Sequence, residues 1–439
     1  MDVDALGYSS IVKKYLIRPS SHGLDMSAPS LHQDLGHADW PAQNFKISQK
    51  SVMKRYGYGE DRDLGEGVDV QAIIYYKKSD GTIKTIYLTP TNAMVRESSG
   101  TWSYINVEYI TGEIDTAGVS VNVITGADTP DWVDTGDYTA PAIGDYFIID
   151  DDHSSTAEPD PNWGIIESID SDTQITLIDA YTGASTDGDY TVSKQYAVPD
   201  GERWSWAVVN DSVYFSNGAD YVQVYTGSGK ATQLNTTSAI KARYLIEYAN
   251  RLIMADYGST RAANGLAWSK EGDPSDWTDD TAGSTTFLQS DDYITGLGKV
   301  GGSLVVYQRD SLIFGQRTGI ATAPISFGRT KRGVGCIAPY SIVDVRGTNA
   351  FFGRDDVYII DGESPYPVGE KIRDKLFSVA TTTELEKAYG YNNTLQNEVR
   401  WFVTDTDSNR LCFVWNYKLN EWYYHDFNDA MSCGGKGQL

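Results

Sequence analysis

Residues 301–315 read GGSLVVYQRDSLIFG. Two short runs rich in Leu, Val, Ile and aromatic residues flank the polar turn Gln308-Arg309-Asp310-Ser311, which is the pattern of two strands joined back to back. The same unit recurs as NDSVYFSNGADYVQVY from Asn210, NRLIMADYG from Asn250 with GLAWS after it, TNAFFGRDDVYIIDG from Thr348 and NEVRWFVTDTDSNRLCFVWNY from Asn397. Its starts lie 40, 51, 47 and 49 residues apart. A period of about 40–50 residues with some four strands per unit is the signature of a β-propeller, whose blades leave only short, protected edges. A sixth unit precedes these five. Val70–Tyr76 runs through Ser79-Asp80-Gly81 into Thr82–Leu88, followed by Ala93–Glu97 and Trp102–Tyr109. Period-two alternation is expected to bury Val213, Phe215, Val222 and Val224 between neighbouring blades.

Composition agrees. The 439 residues include 30 Tyr, 11 Trp and 42 Gly, an aromatic and turn-rich mixture suited to strands joined by tight turns. Helix is expected only near Glu370–Phe377 and Thr383–Tyr389. The expected fold class is therefore all-β, a six-bladed β-propeller with an N-terminal extended arm and an inserted small β-barrel or sandwich domain. A stacked array of β-sandwiches is the alternative. The expected division is an arm over 1–60, a first blade over 61–114, an inserted acidic β domain over 115–197 and the remaining blades over 198–439.

The insertion is marked by charge. The whole chain has a formal net charge of −24, yet residues 121–200 hold 17 Asp and Glu against one cation, Lys194. Within it, Asp145–Asp150, Asn162–Ile169, Gln174–Ile178 and Tyr190–Tyr196 read as strands. The strongly negative balance argues against a protein held on DNA or an anionic membrane by a general basic surface. No run of about 18 apolar residues is present and Met1-Asp2-Val3-Asp4 lacks a signal-peptide pattern, so neither a membrane-spanning segment nor a secretory leader is expected.

Candidate chemistry is sparse. Asp150, Asp151, Asp152, His153, Glu158 and Asp160 cluster, but without the Asp-x-Asp-x-Asp-Gly spacing of a calcium loop. That cluster, Asp170 with Asp172, and Asp405 with Asp407 read as solvated acidic turns. The five His, at 22, 32, 37, 153 and 425, form no His-x-x-x-His or His-Glu-x-x-His pair, and Cys336, Cys412 and Cys433 have no paired spacing. No nucleophile elbow or phosphate-cradling loop occurs. Ser185–Thr191 approaches the Ser-x-Asp-x-Gly-x-Thr-Trp box of sialidase-like propellers without matching it. No catalytic, cofactor-binding or metal residue is assigned. A glycan-binding propeller or a glycoside hydrolase working through two facing carboxylates is the functional alternative.

The segment Trp268-Ser269-Lys270-Glu271-Gly272-Asp273-Pro274-Ser275-Asp276-Trp277, after Asn250-Arg251-Leu252-Ile253, resembles a blade of the propeller-type tail nozzle proteins of short-tailed bacteriophages, also called DNA stabilisation or tail tubular proteins. Supporting segments are Gly301–Ser311, Phe352–Tyr358 with Asp361-Gly362, Trp415-Asn416-Tyr417 with Glu421-Trp422, and, in the leading arm, His22–Asp25, Asn44-Phe45 and Met53–Gly57. The resemblance spans about residues 20–60 and 205–430 and leaves out the acidic insertion. Independently of it, Gly272-Asp273-Pro274 is a turn signal, and Trp268 and Trp277 can seal the two sides of a blade.

The resemblance implies a structural virion protein without catalytic residues or cofactors: a homo-oligomer, a hexameric ring of the tail assembled in the host cytoplasm. Its implied neighbours are the portal and adaptor above and tail fibre or spike proteins beside it. Genomic double-stranded DNA would be retained by the ring and would pass through it on ejection without specific binding.

Overall fold

A computed structural model describes residues 69–96, 102–114, 122–127, 131–133, 140–149, 163–180, 188–234, 240–288, 292–362 and 364–426, with the backbone of 45–48 and 51–54. Apart from that last antiparallel hairpin, which runs beside strand Glu421–Asp426, the arm expected over 1–60 lies outside the described residues.

Six antiparallel sheets of the same plan follow one another. Blade 1 comprises Ala72–Lys77, Ile83–Leu88, Ala93–Arg96 and Trp102–Tyr104. Blade 2 is Ser205–Val209, Ser212–Ser216, Gln223–Tyr225 and Thr232–Gln233, and blade 3 is Lys241–Tyr248, Arg251–Gly258, Ala262–Trp268 and Gly283–Thr286. Blade 4 is Ile294–Val300, Ser303–Gln308, Ser311–Arg317 and Ile325–Phe327, with Lys331–Arg332 pairing its third strand. Blade 5 is Val343–Val345, Thr348–Phe352, Val357–Ile360 and Pro365–Pro367, and blade 6 is Tyr389–Asn393, Glu398–Thr404, Arg410–Asn416 and Glu421–Asp426. The molecule is an all-β, six-bladed propeller.

The repeat works because of its first turn. Asn210-Asp211, Ala249-Asn250, Gly301-Gly302 and Arg346-Gly347 are two-residue links between the first and second strands of blades 2–5, and all eight residues have positive φ. That backbone twist matches the right-handed twist of the flanking strands, which is why Asn, Asp and Gly dominate there. In blades 1, 2 and 5 the first strand alternates buried with more exposed residues, as in Ser205–Val209. The second is buried almost continuously in blades 2–6, as in Arg251–Gly258, whereas that of blade 1 is partly exposed. Both faces of the inner sheet are covered, so simple polar-apolar alternation gives way to an unbroken apolar run.

Consecutive blades share apolar cores. Val213 and Phe215 of blade 2 pack with Ile74, Tyr76 and Ile86 of blade 1, and Val222 and Val224 pack with Leu245, Leu252 and Met254 of blade 3. All four expected residues thus lie between blades. Similar cores join blades 3 and 4, 4 and 5, and 5 and 6. Blade 6 meets the start of blade 1 through Arg410 and Asp69, 3.1 Å apart. Two short helices, Arg373–Val379 and Thr382–Glu386, lie between blades 5 and 6, close to the expected positions. Thr381 and Glu384 form a capping box on the second.

The acidic insertion is a six-stranded antiparallel sheet in the order Glu108–Ile114, Gly188–Ser193, Tyr146–Ile149, Trp163–Ser171, Gln174–Leu177, Val123–Thr125. Its two edge strands meet through the bridge between Ile114 and Gly126, which curls the sheet into a small barrel around Trp132, Phe147, Ile166 and Tyr190. This corrects the expected boundary at 115. Residues 108–114 pair with 188–193 rather than with blade 1, so the domain starts at Glu108. The two chain crossings into the barrel are tied at buried Asn106, whose side chain bonds Asn92 and the Lys194 carbonyl at 2.7 and 2.8 Å.

Trp401 tests the inter-blade core. Fully buried, it stacks on Trp422 at 5.7 Å and donates Nε1–H to the Ser341 carbonyl at 2.8 Å across blades 5 and 6. Trp401→Ala is expected to cost about 3–5 kcal/mol, read as a shifted midpoint in urea unfolding. A loss below 1 kcal/mol would mean that blades 5 and 6 do not depend on this contact.

Candidate functional site

The first strands of all six blades converge on one cavity of ≈570 Å³. Its wall includes Tyr75 of blade 1, Arg203 and Trp206 at blade 2, Tyr244 of blade 3, Leu297 of blade 4, Asp344 of blade 5 and Tyr389 of blade 6. These strands therefore surround a common axis. Beside the cavity, Glu202 Oε2 receives Tyr340 OH at 2.8 Å and Arg243 Nε at 2.6 Å, while the Arg203 backbone N–H donates to Tyr340 OH at 2.9 Å. The Arg203 guanidinium sits 4.1 Å from the centre of the Tyr389 ring.

Three buried polar atoms on this wall, Tyr244 OH, Asn392 Oδ1 and Gln71 Oε1, have no hydrogen-bond partner among the described residues. Tyr244 is 4% exposed and Asn392 9%. Burial pushes the Tyr244 phenol well above its ordinary pKa, so it is a neutral donor at physiological pH. Burial, with Glu202 beside it, raises the Tyr340 phenol too, the opposite of what an activated nucleophile needs. Asp344 is the single carboxylate among the wall residues, so the two-carboxylate arrangement of glycoside hydrolysis is not assembled there. Among the described residues, no second carboxylate lines the cavity beside Asp344.

The segment Trp268–Trp277 braces blade 3. Trp268 packs in the core between blades 3 and 4, and Trp277 against that between blades 2 and 3, so the pair does seal both sides of blade 3. In the loop from Ser269 to Ala282, Asp273, Asp276 and Asp279 each accept from the backbone N–H and the hydroxyl two residues on, Ser275, Thr278 and Thr281. This run of three local turns holds the loop. Those bonds from Thr281, with Lys270 3.1 Å away, lower the Asp279 pKa to about 2. Arg251, 2% exposed, anchors the loop from beneath by donating to the Ser269 and Thr281 carbonyls at 2.7 and 2.9 Å.

Other residues singled out from sequence are dispersed. Asp405 accepts from the Asp407 and Asn409 backbones in a turn, and Asp170 from Ser168 and Thr176 on the barrel surface. Asp172 is exposed. Cys336 and Cys412 are buried, and burial pushes the Cys336 thiol up to about 12. His425 is buried in the last strand beside Tyr423. The cluster Asp150–Asp160 with His153, His22, His32, His37, Cys433 and Ser185–Asp187 lie outside the described residues. Among the described residues no group of three or more His, Cys, Asp or Glu is placed to hold a metal ion, and no helix is long and apolar enough to cross a membrane.

Sequence reasoning missed the fate of the insertion's one cation. Lys194 Nζ lies 3.0 Å from Asp145 Oδ1, with side-chain exposures of 15% and 1%. Asp145 also receives Tyr109 OH and, at 3.0 Å, the Gln195 backbone N–H. Burial raises the Asp145 pKa, against the opposing pull of Lys194. The insertion's positive charge is therefore used internally, while Glu113, Glu167, Asp170, Asp172, Asp179 and Asp189 are exposed.

No family model matches the chain, and no curated protein matches it. Solved structures similar to it include a streptogramin B lyase (12% identity, TM-score 0.33, covering 53% of this chain and 71% of that one). Dihydro-heme d1 dehydrogenase NirN in complex with DHE gives 10% identity and a TM-score of 0.34, over 69% of this chain and 58% of that one. Hsv2 of Kluyveromyces lactis gives 10% and 0.31, over 82% and 99%. At these scores none of them transfers a function to this chain.

Lys194→Met strands a buried carboxylate, and removing one partner of such a pair costs about 3–5 kcal/mol near neutral pH. An Asp with a raised folded-state pKa destabilises only while ionised. The loss should therefore be full above the folded pKa and shrink as pH falls towards the ordinary carboxylate range. Urea midpoints of both proteins at pH 7.5 and 4.5 (about three units apart) check this. An equal loss at both pH values would refute the ion-pair account.

Proposed function

We propose that this chain is a structural subunit of a phage tail nozzle, a ring through which genomic DNA is held and then ejected. The observation that carries the reading is that the segments resembling that family brace blades. Trp268 and Trp277 seal blade 3, and Trp415 and Trp422 stack at 6.1 Å in the core of blades 5 and 6. The axial wall, with its lone carboxylate, supports a non-catalytic role.

A cavity of ≈570 Å³ does not admit a duplex whose major groove alone is ~12 Å wide. The conduit is then an opening between copies, and the propeller is a wall element. A net charge of −24 suits such a wall, because phosphates are repelled rather than gripped by ion pairs. The portal and adaptor, with fibre or spike proteins, are the neighbours this role requires.

Negative-stain microscopy of the concentrated protein should show rings with an axial opening wide enough for duplex DNA. Single discs at every concentration and ionic strength would overturn self-assembly of this chain.

A second reading rests on Tyr244, Asn392 and Gln71. Unpartnered polar atoms near Trp206 and Tyr75 suit a sugar ring, which offers hydroxyls at its edge and an apolar face for stacking. Calorimetric titration with mono- and disaccharides tests it. A saturable signal weakened about tenfold by Tyr244→Phe, the loss of one hydrogen bond, would favour glycan binding. A flat titration would remove it.

A further inference from the structure

The axial cavity is polarised along the first strand of blade 6. Near the start of that strand the one cation of the wall is already engaged. The Arg203 guanidinium lies over the Tyr389 ring, and its Nη2 donates to the Gln71 carbonyl at 3.4 Å. Three residues on, ~10 Å away at strand spacing, the wall changes character. There Asn392 donates Nδ2–H to the Asp344 carbonyl at 2.8 Å. That bond fixes the orientation of the amide and leaves Oδ1 as an acceptor without a donor among the described residues, on a side chain only 9% exposed. Asp344, on the first strand of blade 5, is exposed on the wall and forms no ion pair among the described residues. The cations on nearby strands are used elsewhere. Arg346, two residues on, donates to Asn397 at 2.7 Å, and Lys299, on the first strand of blade 4, pairs with Glu247 at 2.8 Å.

This end of the cavity therefore presents two acceptors side by side, a buried amide oxygen and an unpaired carboxylate. A buried acceptor is expensive to leave unmet. A sugar hydroxyl would satisfy Asn392 Oδ1, but it brings no charge to set against Asp344. A primary ammonium answers both, since it has three N–H donors, no acceptor and a positive charge. Its hydrogen bonds to a carboxylate are charge-assisted, the stronger kind. We propose that the cavity takes an amino sugar with a free ammonium, held between the Asp344 carboxylate and Asn392 Oδ1, with the sugar ring toward Trp206 and Tyr75. This rests on the glycan reading and names the ligand class of that site. The polarity of the cavity sets the orientation of the guest: the ammonium lies at the blade 5 and 6 end, away from Arg203, because like charges repel.

The test is calorimetric titration of the full chain with three matched probes: glucosamine, glucose and N-acetylglucosamine. They share one ring, and the third keeps the nitrogen but not its charge. Glucosamine should bind at least about tenfold more tightly than either of the others, the worth of one hydrogen bond to a charged group. In Asp344→Asn, which keeps the shape of the side chain and removes its charge, the ratio of glucosamine to glucose affinity should fall to about one. Thermal unfolding checks that this variant is folded, and Asp344→Ser replaces it if it is not; the comparison of probes on the wild-type chain needs no variant. Equal binding of glucosamine and glucose, or of glucosamine and N-acetylglucosamine, would overturn the ammonium site and leave the glycan reading standing. A preference for glucosamine that survives the loss of the Asp344 charge would overturn the assignment of Asp344. Flat titrations with all three probes would overturn the amino-sugar site and the glycan reading together.

Discussion

A four-stranded sheet with two apolar faces cannot be stable alone in water, and this constraint shapes the rest of the molecule. Blade 2 shows it plainly. Val213 and Phe215 are covered by blade 1, and Tyr214 and Val222, on the side of blade 3, are covered from there. Each neighbour then has its own outer face to bury, and repeating that requirement arranges six sheets around an axis. The first strands, crowded at the centre, keep partly polar faces toward the cavity, whereas the second strands of blades 2–6 are enclosed on both sides.

The axis and the rim play different physical parts. At the axis, charges are paired at short range: Glu202 with Arg243 and Tyr340, and Arg203 over Tyr389. Such bracing is rigid and leaves phenols neutral, which suits a wall or a pocket better than a reacting centre. At the rim, the barrel retains its one cation for its interior and exposes carboxylates.

The order of strands and the place of each blade were legible in the sequence because both are local. Two-residue Asn, Asp and Gly links demand positive φ, and apolar runs of strand length follow at a regular period, so Asn210, Asn250, Gly301, Thr348 and Asn397 mark the blades without reference to distant residues. The acidic character of 121–200 was equally plain. The exact extent of the barrel was not. Glu108–Ile114 has the pattern of a blade strand, and its choice of Gly188–Ser193 as partner depends on a contact about 80 residues away, set by packing rather than propensity.

The candidate site was the least legible part. Gln71, Arg203, Tyr244, Asp344, Tyr389 and Asn392 are scattered along the chain, and no motif or spacing unites them; only the closing together of the first strands does. The same holds for Lys194, which reads in sequence as the sole relief of an acidic surface and in the fold lies beside Asp145. The all-β class, the repeat and the sign of each segment's charge are local properties of the chain, because turn geometry, side-chain alternation and ionisable residues act over a few positions. Which strand pairs where, what surrounds the axis and which charges remain on the surface follow from contacts between residues far apart in the chain, because partner choice and burial are properties of those contacts.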